Sequence, residues 1–182
     1  ANHKMETREK LLESSSHSAK RAGFATVGVD GLMKAIGLSG GAFYSHFSSK
    51  DELFGAIVER ELSQSLERLS GNGELSRARL ERCLKQYLSM SHVEQAADGC
   101  ALPALGAEIA RADIEVRQQA EQWICRLHEN WAGILESDTL AWAILSQCVG
   151  ALVVARMLVN PQTQQHVLQS SYVEIGRQIA GS

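Results

Sequence analysis

The chemistry this chain can do is concentrated in one short run, Ser39-Gly40-Gly41-Ala42-Phe43-Tyr44-Ser45-His46-Phe47-Ser48-Ser49-Lys50. Ser39, Gly40 and Gly41 at a helix start would leave backbone N–H groups bare for a phosphate oxygen or for close approach of a groove. Tyr44 and His46 can donate to phosphate oxygens, and Lys50 adds positive charge. Binding of a polyanion is the chemistry these types suit, not bond-making. The cysteines, Cys83, Cys100, Cys125 and Cys148, are spaced 17, 25 and 23 residues apart, which is neither a zinc spacing nor a disulfide framework. They read as reduced, mostly buried thiols. The histidines at 3, 17, 46, 92, 128 and 166 are scattered. With no H-E-x-x-H, Walker loop, G-x-S-x-G or cysteine–histidine pair, the sequence predicts no enzyme, no metal site and no cofactor.

Those residues need elements to hold them, and the pattern predicts helices throughout. Apolar residues make up 45% of 182, with only two prolines, and nothing alternates as a strand. Helices are expected at about 6–22, 29–35, 40–47, 50–69, 75–91, 101–111, 114–135, 138–159 and 162–179. Gly23 is expected to stop the first as a left-handed cap. Ser49 and Glu52 form a capping box for the fourth, and Asn160-Pro161 caps the last. Gly71-Asn72-Gly73 is the best linker candidate. The expected fold is all-α. An N-terminal three-helix domain with a helix-turn-helix comes first, followed by a C-terminal helical domain for ligand binding and dimerisation. The division falls at 1–50 and 51–182, with the motif at about 28–47. Val29, Leu32, Met33 and Ile36 supply the inward face of the motif's first helix. Gly37 supplies a turn residue tolerant of positive φ, and Leu38 fills the angle between the helices.

Charge is distributed to match. Residues 1–50 carry seven Lys/Arg against four Asp/Glu, while the other 132 residues carry 11 against 17. A basic head on an acidic body suits a nucleic-acid partner. No stretch approaches the roughly 18 uncharged apolar residues of a membrane span, and the polar N-terminus has no signal-like apolar region, so the expected compartment is cytoplasmic.

The run from Gly37 to Leu53 resembles the signature of the TetR family of regulators, approximately G-[VL]-S-x-G-x-[LF]-Y-x-[HY]-F-x-[ST]-K-[ED]-x-L. Arg8-Glu9-x-Leu11-Leu12 and Gly23-Phe24 also stand at that family's usual places, so the likeness covers about residues 5–60. Two positions depart from it. Gly28 opens the second helix where Thr is usual, with Thr26 two residues earlier, and Gly40 stands where Lys or Arg is common. These departures favour the rival reading, a helical adaptor whose DNA head has decayed. The resemblance implies a repressor that binds a palindromic double-stranded operator as a homodimer and is released by a small-molecule or electrophile effector. The DNA-binding residues it implies are Thr26, Gly28, Ser39, Gly40, Gly41, Phe43, Tyr44, His46 and Lys50.

For the C-terminal part the resemblance implies an effector pocket, with candidates Tyr87, Met90, His92, Cys100, Trp123, Leu127, His128, Trp131 and Trp142. Each of them is also ordinary core material. It further implies a dimer interface from the last two helices, with candidates Leu145, Val149, Leu152, Val153, Tyr172, Ile175 and Ile179. The helix expected at 138–159 is apolar on more than one face, which suits burial on both sides. Asp98-Gly99-Cys100-Ala101-Leu102 resembles a Gly-Cys element at the start of the sixth helix in one TetR subgroup, some of whose members sense electrophiles or oxidants. Cys100 near a helix N-terminus would have its thiolate favoured.

Overall fold

A computed structural model describes residues 1–70 and 75–182. The linker expected at Gly71-Asn72-Gly73 lies outside them. Among the described residues there are helices and no strand. Helix α1 (Asn2–Ala22) begins four residues before its apolar pattern does, and α2 is Val29–Lys34. The segment expected as a third α-helix is a 3-10 helix, Gly40–Ser45, which ends two residues before the expected Phe47. Two adjacent glycines disfavour a longer α-helix there. Helix α3 (Lys50–Ser70) follows. The predicted helix at 75–91 is split into α4 (Arg77–Tyr87) and α5 (Met90–Glu94), because Ser89 caps a new start by accepting from His92 N–H. A 3-10 turn (Ala96–Asp98) leads into α6 (Ala101–Ala110), α7 (Ile114–Leu135), α8 (Asp138–Met157) and α9 (Pro161–Ala180).

Most of the local signals act as expected. Gly37 has φ +78° and turns the chain between α2 and the 3-10 helix. Asn160 caps α9 through Gln162 and Thr163 N–H, with Pro161 at the first position. Three details differ. Gly23 has φ 90° and ψ 159°, an extended conformation at positive φ rather than the left-handed helical cap. Leu38 is 39% exposed and does not fill the interhelical angle. In the capping box Ser49 Oγ accepts from Glu52 N–H, but the Glu52 carboxylate passes over Ser49 to bond Ser48 N–H and hydroxyl.

Two apolar clusters organise the molecule. The head packs Leu11, Leu32, Met33, Phe43, Phe47, Leu53 and Ile57 together, and it continues into α6 through Leu105 and Ile109. The body packs Leu80, Leu84, Trp131, Ile144, Leu152 and Ile175. Trp131 is 1% exposed and its indole N–H reaches Leu69 O. Helix α8 exceeds the expectation of no long apolar stretch. Its 20 residues are long and apolar enough, at a mean hydropathy of 1.7, to cross a membrane by length and composition. It packs against both α7 and α9, which accounts for its composition.

Candidate DNA interface and effector cavity

The head's surface sorts the sequence-derived contacts. Thr26, Gly28, Ser39, Gly41 and Tyr44 are exposed, and Gly40 is half-buried. The Tyr44 ring meets Phe43 edge-on at 5.2 Å, which leaves its outer end free for a partner. Phe43 itself is 0% exposed and packs on Phe47. It cannot reach DNA; periodicity alone could not tell which side of so short a helix faces inward. Lys50 turns back toward the head. Its Nζ donates to Ala25 O at 3.1 Å and lies 4.8 Å from the centre of the Phe24 ring. The His46 Nδ1 is enclosed without a partner, and its imidazole is held below the ordinary value by burial first, then by Lys4 and Arg8.

Gly40 has a reason the sequence did not reveal. A Cβ there would overlap the Asp30 carboxylate from α2. A side chain at this position therefore requires Asp30 to swing away, and the carboxylate tempers the bare-amide anion site expected from Ser39-Gly40-Gly41.

A cavity of about 190 Å³ lies beside α4, α5 and the start of α6, lined by residues including Ser65, Arg68, Cys83, Tyr87, His92 and Cys100. Only Tyr87, His92 and Cys100 of the nine candidates meet there. Met90 packs on the body core. Leu127 and Trp131 are core residues, and Trp123 donates to Glu59 at 2.8 Å. His128 stacks on the 41%-exposed Trp142 at 3.9 Å, with Nε2 3.0 Å from Asp138 O, away from the cavity. Tryptophans drew notice by size, whereas the cavity is made largely by polar residues where the chain passes from α4 through α5 to α6. A second, more open recess of about 450 Å³ beside Phe24 and Glu108 is lined by both Lys50 and Arg111 and both Asp51 and Asp113.

The cavity wall is tied tightly. His92 Nδ1 sits 2.8 Å from Tyr87 O, and Nε2 accepts Cys100 N–H at 3.0 Å, so the proton is on Nδ1. Gly99 is required here because a Cβ would overlap the His92 ring. Ser65 Oγ accepts Ala101 N–H at 3.1 Å, and Arg68 donates to Asp98 O at 2.8 Å. From the head, Lys20 donates to Gly99 O at 3.2 Å while paired with Glu61 at 2.9 Å, both side chains about 95% buried. At the far end of α6 the Glu108 carboxylate accepts Phe24 N–H at 2.9 Å and Ala25 N–H at 3.0 Å. Sequence reading missed Lys20, Glu61 and Glu108, whose partners are 36 or more positions away.

Burial, and then the charges of Arg156, Arg68 and Lys20, push His92 down to about 4 against the bond to Tyr87. The unfolded chain takes this proton near pH 6.5 and the folded one resists until about 4, so stability is present above 6.5 and lost as pH falls toward 4. With part of the ring exposed, the loss is expected to be about 2 kcal/mol. Urea unfolding at pH 7 and 4.5 should show this loss in the parent and not in His92→Asn. Equal losses in both proteins would remove His92 as the cause.

The family model described as bacterial regulatory proteins, tetR family, matches residues 11–57. That span covers α2, the 3-10 helix and the start of α3, the elements that carry the exposed surface above. The head of this chain matches the TetR family. The transcriptional repressor NemR of Escherichia coli K12 is 28% identical over 122 residues, 64% of this chain and 61% of NemR. The match thus spans under two thirds of that relative. The uncharacterized HTH-type transcriptional regulator YfiR of Bacillus subtilis is 32% identical over 72 residues, 40% of this chain and 35% of YfiR. In fold, the chain is similar along its length to solved structures. The crystal structure of reduced E. coli NemR matches at TM-score 0.77 and 22% identity, covering 94% of this chain and 96% of that one. A TetR regulator from Chloroflexus aurantiacus matches at 0.82 and 21%, covering 99% and 97%.

The sequence-derived dimer set is divided by the structure. Leu145, Leu152, Ile175 and Ile179 are at most 5% exposed within one chain, filling the α8–α9 core. They are not free for a partner. Val153 is 39% exposed, and Val149 and Tyr172 are half-buried. Trp142, Val153, Val154 and Met157 are the exposed large apolar residues of α8. A helix apolar on several faces does not say which of them is internal.

Proposed function

We propose that this TetR-family regulator represses by binding a palindromic operator as a homodimer, and that a small molecule entering the 190 Å³ cavity releases it. The observation that carries this reading is the 98–101 segment. It is at once a wall of the cavity and a partner of the head through Lys20 and Gly99. A ligand that displaces the wall must act on that bond, so cavity and head are linked by a direct contact. The exposed α8 residues Val153, Val154 and Met157 support the homodimer, whose two-fold symmetry suits paired half-sites about one DNA turn apart. Thr26, Ser39, Gly41 and Tyr44 are the side of the head offered to DNA, with Tyr44 as the main phosphate donor. Lys50 contributes its charge from beside Phe24. Cys100, 2% exposed, is reached by an electrophile only through the cavity.

A gel shift on the DNA adjoining its own gene, repeated at rising salt, tests the proposal. Specific binding of two chains per site is expected, with affinity falling as salt rises. Tyr44→Phe should weaken binding to every sequence by about 1 kcal/mol, and Lys50→Gln should lower the salt slope by about one unit. Unchanged affinity in both variants would contradict this docking, and binding without sequence preference would favour an adaptor.

A further inference from the structure

The cavity's electrostatics point to the class of molecule it takes. The charged side chains in its lining are Arg68 and Asp98. The Asp98 carboxylate is 72% exposed and turned outward, 3.8 Å from His17. The Arg68 guanidinium uses Nη1 on the Asp98 carbonyl and, among the described residues, has no carboxylate within 4.0 Å. Beneath the lining, Tyr87 is 6% exposed and its hydroxyl is enclosed, hydrogen-bonded with the Cys100 thiol and without an oxygen or nitrogen partner among the described residues. Behind His92, Arg156 donates to His92 O at 2.6 Å and Val93 O at 3.2 Å, leaving a buried Nη1 without a partner. No carboxylate among the described residues pairs with Arg156 either. The lining thus presents a guanidinium with no carboxylate on it, beside neutral acceptors on Gln86 and Gln95, and unmet donors lie behind it. Unmet buried donors of this kind are costly until an acceptor arrives.

We infer that this cavity takes a small organic carboxylate, held by the Arg68 guanidinium at the mouth and, where it displaces the Cys100 thiol, by the Tyr87 hydroxyl farther in. The inference rests on reading the cavity as the effector site. Its volume is below the roughly 300–1,000 Å³ of pockets for drug-sized ligands, so the occupant is small. Leu69 and the Tyr87 ring supply apolar wall for a hydrocarbon part. Arg156 stands behind the lining and adds positive potential without contact. The low proton affinity of His92, caused partly by Arg68 and Arg156, reports the same field.

The test is calorimetric titration of the full chain with acetate, benzoate and phenylacetate, each beside its neutral amide. At least one carboxylate is expected to bind tenfold or more tightly than its amide. Arg68→Gln and Tyr87→Phe should each remove about tenfold of that affinity. Tyr87→Phe deletes a hydroxyl whose hydrogen bond is the weak one to the Cys100 thiol, so its melting temperature should hardly fall; an affinity loss without a melting loss marks ligand contact rather than packing. If no carboxylate outbinds its amide, or both variants keep the preference, the inference fails. Operator binding by the same preparations separates the two readings. Operator binding without carboxylate preference sinks this inference alone, whereas absent operator binding sinks the regulator reading and leaves the titration to decide the ligand class.

Discussion

Lys20→Met is expected to cost about 3–5 kcal/mol of folding stability, because it strands the Glu61 carboxylate in an apolar setting. Both side chains of this pair are about 95% buried at 2.9 Å, and Lys20 also supplies the donor to Gly99 O. The double variant Lys20→Met/Glu61→Leu removes both charges and should recover most of the loss, since apolar replacement of a buried pair is often neutral. It would not restore the donor to Gly99. The double variant should therefore fold nearly as well as the parent yet respond differently to the cavity's occupant. Chemical denaturation of the three proteins measures the first part. A single variant within about 1 kcal/mol of the parent would show that Glu61 finds another partner or water.

Glu108→Ala is expected to cost about 2–3 kcal/mol, through two backbone amides that lose a charged acceptor in a partly exposed place. Those amides, Phe24 and Ala25, follow the positive-φ Gly23 at the end of α1, and Ala25 O in turn holds Lys50. Loss of the carboxylate thus loosens both the chain leaving α1 and the position of Lys50. Glu108→Gln keeps one acceptor and should cost about half as much. Thermal and urea unfolding check the size, and a change below about 0.5 kcal/mol in Glu108→Ala would dismiss the contact. Lys20 and Glu108 act at the two ends of α6, so this helix is the element through which cavity and head can sense one another.

The head was legible in the sequence because its requirements are local. Gly37 at positive φ, the Leu32 and Met33 inner face, and the Ser49 cap all act within a few residues of one another. Phe43 was misplaced because a six-residue 3-10 helix does not repeat long enough for a period to choose its inner face. The cavity was half legible. Gly99-Cys100 was a visible pair, but Ser65, Arg68 and Lys20 come to this segment from 30 or more residues away, a closeness that side-chain type does not announce. The tryptophans went the other way. Trp131 is large because it fills the core, and Trp142 because it covers His128 at the surface. On α8 the apolar pattern was real but two-sided, so Leu145 and Leu152 looked the same in sequence as Val153.

The central claim is that the DNA head and the cavity are one linked system through α6, and linkage is reciprocal. Amide hydrogen exchange of the full chain with and without its operator tests this without knowing the effector. Protection is expected to change on DNA binding at Gly99, Cys100 and Ala101 as well as at Phe24 and Ala25, all in step with the head. Protection confined to residues 26–50, with the 98–101 amides unmoved, would contradict it.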